Sequence, residues 1–430
     1  MKLNAKRTAL VGLAFLAISS FWQLYDFAVP LILKNTYNLS DTWSGVVMAM
    51  DNVLALFLLP FFGALSDRIQ TPIGRRMPFI VGGTAAAAVL MNLITRMPSL
   101  TAFLVLLSLL LIAMGTFRSP AVALMPDVTP KPLRSKGNAL INLMGAIGGV
   151  ISLALVNFAV VKVTDAAGVV HSDYSLLFTI ISVLMAASVV ILLCNIRENK
   201  LVAEMKAINY GETADETVTV RNEGTGRLEP DVFRSLLLIL VSVSLWYMGY
   251  NAVTSAFSKY AVIRLGVSES AAANCVMAAT VFAILSYWPV GIISSKIGRK
   301  RMIQLGVLML AAGFGIAACF SAMNPVMYVI FALVGIGWAS INVNSFPMVV
   351  ELATGADTGR YTGYYYTFSM AAQVLTPILS GALLEHVGYW TLFVYAAICV
   401  LGSLVTISLV RHGDSKPEAK RGLEALDVED

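Results

Sequence analysis

Residues 63–76 read GALSDRIQTPIGRR, and residues 291–301 read GIISSKIGRKR. Each begins with a glycine at the end of a long apolar stretch, crosses a short polar turn and closes on a glycine followed by basic residues. Working outward, a second pair appears. Pro120, Asp127, Arg134 and Gly137 stand in the first half, and Pro347, Glu351, Arg360 and Gly363 in the second. Two signals repeated in the same order indicate a duplicated chain, and parallel repeats of six helices are one of the transporter plans. Around these motifs lie about twelve apolar stretches of roughly twenty residues, each long enough to cross a bilayer as a helix. The expected spans are 8–33, 42–65, 77–96, 100–125, 136–161, 175–195, 233–257, 269–292, 302–322, 326–350, 359–385 and 389–411.

Composition agrees. The chain has 430 residues, 58% hydrophobic and 13% charged, with mean hydropathy +0.78. Soluble domains hold about 25% charged residues, so lipid must solvate much of this surface. The basic start followed by an apolar run resembles a signal peptide, but no small-residue cleavage site precedes Leu33, which predicts a retained first span. One long polar stretch, containing NYGETADETVTVRNEGTGRLEP at 209–230, separates six spans from six. The expected fold is therefore an all-α membrane protein of twelve transmembrane helices in two six-helix pseudo-repeats. The first bundle covers 1–196, a cytoplasmic linker 197–232, the second bundle 233–411 and a tail 412–430.

Charge placement sets the topology. The termini and even-numbered loops carry 24 lysines and arginines. The opposite loops carry 5, namely Lys34, Arg96, Lys162, Lys259 and Arg264, while Arg118 lies within a span. The positive-inside rule then puts both termini in the cytoplasm of a multi-pass cell-membrane protein. The net charge of +5 is not interleaved with aromatics along a polar surface, which argues against nucleic acid. Cys194, Cys275, Cys319 and Cys399 fall inside apolar stretches without metal-ligand spacing, so neither a metal nor a cofactor is expected. No His-Glu-x-x-His or Gly-x-Ser-x-Gly pattern marks an enzyme.

The doubled motif resembles the signature of the major facilitator superfamily between its second and third spans, G-x-x-x-D-R-x-G-R-R/K. Here that motif comprises Gly63, Asp67, Arg68, Gly74, Arg75 and Arg76. Gly63 lets helices approach closely, and Asp67 can cap a neighbouring helix and pair with a cation. The resemblance implies a cytoplasmic gate latch in which Asp127, Arg134, Glu351 and Arg360 also take part. Ser295 replaces the acid in the second half, which predicts a weaker latch there. Within the superfamily, GALSDRIQTPIGRRMPFIVGG at 63–83 and Ser119-Pro120-Ala-Val-Ala123-Leu124-Met-Pro-Asp127 resemble the glycoside–cation symporter and sucrose transporter branch. That branch carries an arginine where Val122 stands; this chain has Arg118 about one helical turn earlier.

Asp26, Asp51 and Arg118 are charges within spans. Each costs at least about 2.5–3.5 kcal/mol near the bilayer centre, which calls for a partner or a cavity. The economical expectation pairs Arg118 with Asp26 or Asp51, one carboxylate taking up the coupling proton; a permanent structural pair is the alternative. Val47 and Ala55, one turn either side of Asp51, offer no side-chain ligand, so sodium is short of oxygens and a proton is preferred. A sugar would meet aromatic faces and amides. Candidates are Trp22, Gln23, Tyr25, Asn142, Trp246, Tyr247, Tyr250, Asn251, Trp338, Asn342, Asn344, Tyr364, Tyr365, Tyr366 and Gln373, although interfacial belts and helix–helix hydrogen bonds use the same residue types. The expected activity is proton-coupled symport of a sugar or glycoside by a monomer, with solute, proton and bilayer as partners. A drug or lipid-like solute on the same fold, or a non-transporting nutrient sensor, are the competing readings.

Overall fold

A computed structural model describes residues 3–130, 133–164, 170–213, 230–352 and 358–412. Lys131, the polar run 214–229 of the expected linker and the tail 413–430 lie outside the described residues. The expected spans form as helices α1 (Ala5–Asn35), α2 (Asp41–Arg68), α3 (Met77–Ile94), α4 (Leu100–Asp127), α5 (Arg134–Ala159) and α6 (Ser175–Asn195). After α7 (Glu198–Thr213) come α8 (Pro230–Ile263), α9 (Glu269–Ile297), α10 (Arg299–Ala318), α11 (Val326–Val350), α12 (Thr358–His386) and α13 (Thr391–Leu409). Twelve of the helices are long and apolar enough to cross a membrane. Prolines such as Pro60, Pro120, Pro289 and Pro377 sit inside them, where neighbouring helices and local adjustment make up for the lost hydrogen bond.

Three features depart from the sequence reading. A two-stranded hairpin, β1 (Val161–Thr164) and β2 (Val170–Asp173), follows α5 with Val161 opposite Asp173, a local addition where span five was expected to run to 161 in an otherwise helical fold. The expected linker begins as a helix, α7. Finally, α8 runs to Ile263 rather than 257 and takes Lys259 into the helix.

The chain forms two compact units, residues 1–38 with 53–219, and 39–52 with 220–430. In the first, α1 packs on α5 and α6, and α3 on α4 and α6. In the second, α8 packs on α12 and α13, and α10 on α11 and α13, the same neighbours in the same order. Lipid tails are as apolar as the side chains they replace, so these contacts depend on close packing and hydrogen bonds. Gly148 shows this. A Cβ there would lie 2.2 Å from the Leu16 carbonyl oxygen of α1. Beside it the Ser20 hydroxyl donates to the carbonyls of Leu16 (2.8 Å) and Gly148 (3.0 Å). The outward residues are the inverse of a soluble surface, with Leu285, Val329 and Val405 largely exposed.

Candidate functional site

The loop joining α2 to α3 brings the first motif together. Arg75 reaches Asp127 of α4 at 2.7 Å and Asp67 at 3.9 Å. Arg76, 5% exposed, places Nε 3.0 Å from Asp127 and Nη2 2.5 Å from Asp67, while Nη1 donates to the Ser66 hydroxyl. Two arginines thus bridge the ends of α2 and α4 through two carboxylates, with the planar fork of Arg76 serving four acceptors, the fourth being the Gly63 carbonyl at 3.4 Å. Arg68 is exposed beside this cluster. Arg134 instead donates to the Pro126 carbonyl at 3.1 Å, capping the end of α4. A Cβ on Gly63 would lie 2.9 Å from the Ser119 hydroxyl, so α2 and α4 meet closely here.

A carboxylate that the sequence reading missed organises this loop from behind. Glu198, the first residue of α7 and 1% exposed, accepts from the backbone N–H of Arg75 (2.9 Å), Arg76 (2.9 Å) and Met77 (3.0 Å). Those are orphan donors at the start of α3, whose own N-cap position offers no side-chain acceptor. Gly74 has φ +129°, and a Cβ there would meet Glu198 Oε2 at 2.0 Å, so only glycine fits. Asn199 adds bonds to the carbonyls of Thr71 (2.9 Å) and Pro72 (3.0 Å).

The second unit repeats part of the arrangement. Arg299 pairs with Glu351 at 2.7 Å, matching Arg75 with Asp127. Ser295, at the position of Asp67, donates to the Ile292 carbonyl at 2.7 Å, and Lys300 caps α13 through the carbonyls of Ser408 and Val410. Arg360 donates to Tyr364 OH at 2.7 Å.

Within the first unit, Trp22, Gln23, Asp26, Arg118 and Asn142 are half-buried. The expected ion pair of Arg118 with Asp26 is not made. Its guanidinium instead lies 5.7 Å from the ring centroid of Trp22. Trp22 and Asp26 are one turn apart on the same face of α1, and the cation settles on the aromatic quadrupole. The Trp22 indole N–H is buried with no acceptor among the described residues. Tyr25, 1% exposed, packs edge-on against Trp22. Asp51 belongs to the 39–52 segment of the other unit, where its Oδ1 accepts from the N–H (2.6 Å) and side-chain amide (2.8 Å) of Asn52.

In the second unit, Tyr250 stacks flat on Trp338, with centroids 3.8 Å apart and planes at 6°. Tyr247 meets the same indole edge-on at 5.3 Å. Asn251 Nδ2 is buried with no acceptor, and half-buried Asn342 and Gln373 make no side-chain hydrogen bond among the described residues. Trp246 is fully enclosed. Asn344 accepts from Ser294 and donates to the Ser340 carbonyl, and Tyr365 bonds Ser345 at 2.9 Å, so these two serve helix packing.

A buried charge cluster in this unit was also missed. Lys259 Nζ lies 2.6 Å from Asp41 Oδ1, their side chains 3% and 4% exposed. Tyr389 OH donates to both Asp41 oxygens at 3.0 Å, and the Thr42 N–H donates to Glu385 at 2.8 Å. Burial first, then the neighbouring Asp41 charge, push the Tyr389 phenol far above its ordinary range, so it remains a donor.

The profile of the Major Facilitator Superfamily matches residues 11–288 and 239–428. The dipeptide and tripeptide permease A of Citrobacter koseri is 26% identical over 213 residues, 46% of this chain and 42% of the permease. Its counterpart in Escherichia coli K12 is 27% identical over 180 residues, 39% and 34% of the two chains. The match thus spans less than half the length of these curated relatives. Among solved structures, the peptide transporter POT superposes with TM-score 0.69 at 12% identity, covering 94% of this chain and 93% of that one. The nucleoside transporter NupG gives 0.68 at 13%, covering 94% and 100%. By name, these relatives carry peptides or nucleosides. The glycoside branch therefore rests on the motifs at 63–83 and 119–127 alone.

Proposed function

We propose, for a chain that belongs to the major facilitator superfamily, that it is a secondary transporter importing a sugar or glycoside together with protons, its termini in the cytoplasm. The observation that carries the solute class is the flat Tyr250–Trp338 pair in a unit that also holds neutral amides without hydrogen-bond partners among the described residues, Asn251 through its Nδ2, Asn342 and Gln373. Ring faces suit the apolar side of a pyranose, and amides suit its hydroxyls. An unpaired buried amide is also costly enough to favour the solute that satisfies it. In the first unit, Asp26 is the proton carrier and Arg118 the fixed charge whose environment responds. Protonation of Asp26 removes a negative charge one turn from the Trp22–Arg118 contact and so shifts the guanidinium between ring and solute. The Asp67–Arg75–Arg76–Asp127 and Arg299–Glu351 clusters are the latch that turnover opens and closes.

A second reading is import of dipeptides or tripeptides. The permease relatives favour it, and so do Arg118 and Asp26, which offer one charge for each end of a zwitterion. Uptake into proteoliposomes of a radiolabelled glycoside panel and of small peptides, with and without a proton gradient, separates the two. Gradient-driven glycoside accumulation is the expected result. Accumulation of peptides alone would replace the sugar reading, and drive by sodium alone would remove the proton.

A further inference from the structure

In the first unit, the start of α1, the end of α6 and the first turns of α7 enclose a cleft of about 310 Å³. Four cations line it, Lys6, Arg7, Arg197 and Lys200, against one acid, Glu204. None of the four makes an ion pair with a described residue. Glu198, next to Arg197 in the chain, is enclosed and committed to the backbone of 75–77. The first turn of α1 contains no acid, so its helix dipole adds to the positive potential. Leu10 and Ile196 supply an apolar floor where two membrane-crossing helices end.

Ordinary positive-inside anchoring spreads cations along a loop. Here they converge on one cleft from α1, from α7 and from the connection that follows α6, at the ends of membrane-crossing helices, as basic pockets that hold phosphate headgroups do. We infer that this cleft binds the phosphate of an anionic phospholipid, which cements α7 to the first unit at the membrane surface. An amphiphile satisfies both linings. The phosphate takes donors from the guanidinium and ammonium groups, and the glycerol and upper acyl chain cover the apolar floor. Free inorganic phosphate offers the first contact without the second.

The test uses the full-length, delipidated protein in detergent, with thermal-shift titrations and native mass spectrometry. The probes are short-chain phosphatidylglycerol, short-chain phosphatidylcholine and inorganic phosphate. Phosphatidylglycerol is expected to remain bound and to raise the unfolding temperature, with the other two much weaker. A Lys6→Gln/Arg197→Gln variant is expected to lose affinity about 25-fold, from about 5-fold per cation near an anionic surface. Arg7→Gln/Lys200→Gln repeats the test should the first pair fold poorly. Arg96→Gln/Lys162→Gln, which removes cations elsewhere in the unit, is expected to bind like the parent. Equal binding of the two lipids, or unchanged affinity in both cleft variants, would overturn the site. Phosphate binding as tightly as the lipid would overturn the phospholipid as its ligand.

Discussion

Replacing Lys259 by methionine removes the cation from a pair whose two charges are both enclosed. The aliphatic stem is kept, so little cavity forms, and the cost falls on the Asp41 carboxylate. It retains the Tyr389 hydroxyl at 3.0 Å but loses an ammonium at 2.6 Å. Removing one partner of a buried pair costs about 3–5 kcal/mol, and Asp41→Asn, which strands the lysine, should cost the same. The double variant Asp41→Asn/Lys259→Met strands neither charge and is expected within about 1 kcal/mol of the parent, since replacing a whole buried pair is often neutral. The assay is denaturant unfolding in detergent followed by tryptophan fluorescence, the four proteins forming one double-mutant cycle. Additive losses from the two single changes, or single changes within about 0.5 kcal/mol of the parent, would refute the reasoning. Alkaline pH gives a second handle. Because the Tyr389 phenol is raised in the folded protein, its contribution is complete below the unfolded value near 10 and is lost as pH rises above it. Tyr389→Phe should flatten that alkaline decline.

Asp26→Asn is expected to abolish gradient-driven accumulation while solute exchange persists, because a neutral amide imitates the protonated acid; undiminished uphill uptake would remove Asp26 from coupling. Arg118→Lys should insert normally yet bind solute at least about 10-fold more weakly, since an ammonium lacks the planar fork that lies over Trp22. Equilibrium binding by scintillation proximity decides that. Glu198→Ala deprives three N–H groups of a charged acceptor and should destabilise the first unit by about 3 kcal/mol, seen as earlier melting of the purified protein. Asp67→Ala should lower turnover far more than solute affinity, measured as kcat and KM for uptake.

The spans were legible because a run of about twenty apolar residues is rare outside a helix that crosses a bilayer, and the duplicated motif gave their grouping. The same motif located Asp67, Arg75, Arg76 and Asp127, which the structure brings into one cluster. α7 escaped because Glu198–Thr213 has no apolar stripe strong enough to mark it. Its anchor is a loop more than a hundred residues earlier in the chain. Lys259 escaped for a related reason. Hydropathy falls at Ser258-Lys259, so the apolar pattern stops at 257, and no local signal names a partner at position 41. With Arg118, charge alone pointed to a carboxylate. That an indole one turn from Asp26 takes the guanidinium depends on how α1 and α4 face each other, which their sequences do not state.

The Glu198 clamp has a mechanical consequence. The start of α7 is joined both to α6, through residues 196–197, and to the backbone at 75–77, the stretch that carries Arg75 and Arg76. Any displacement of the first turn of α7 would therefore be felt at the start of α3, three N–H groups at once.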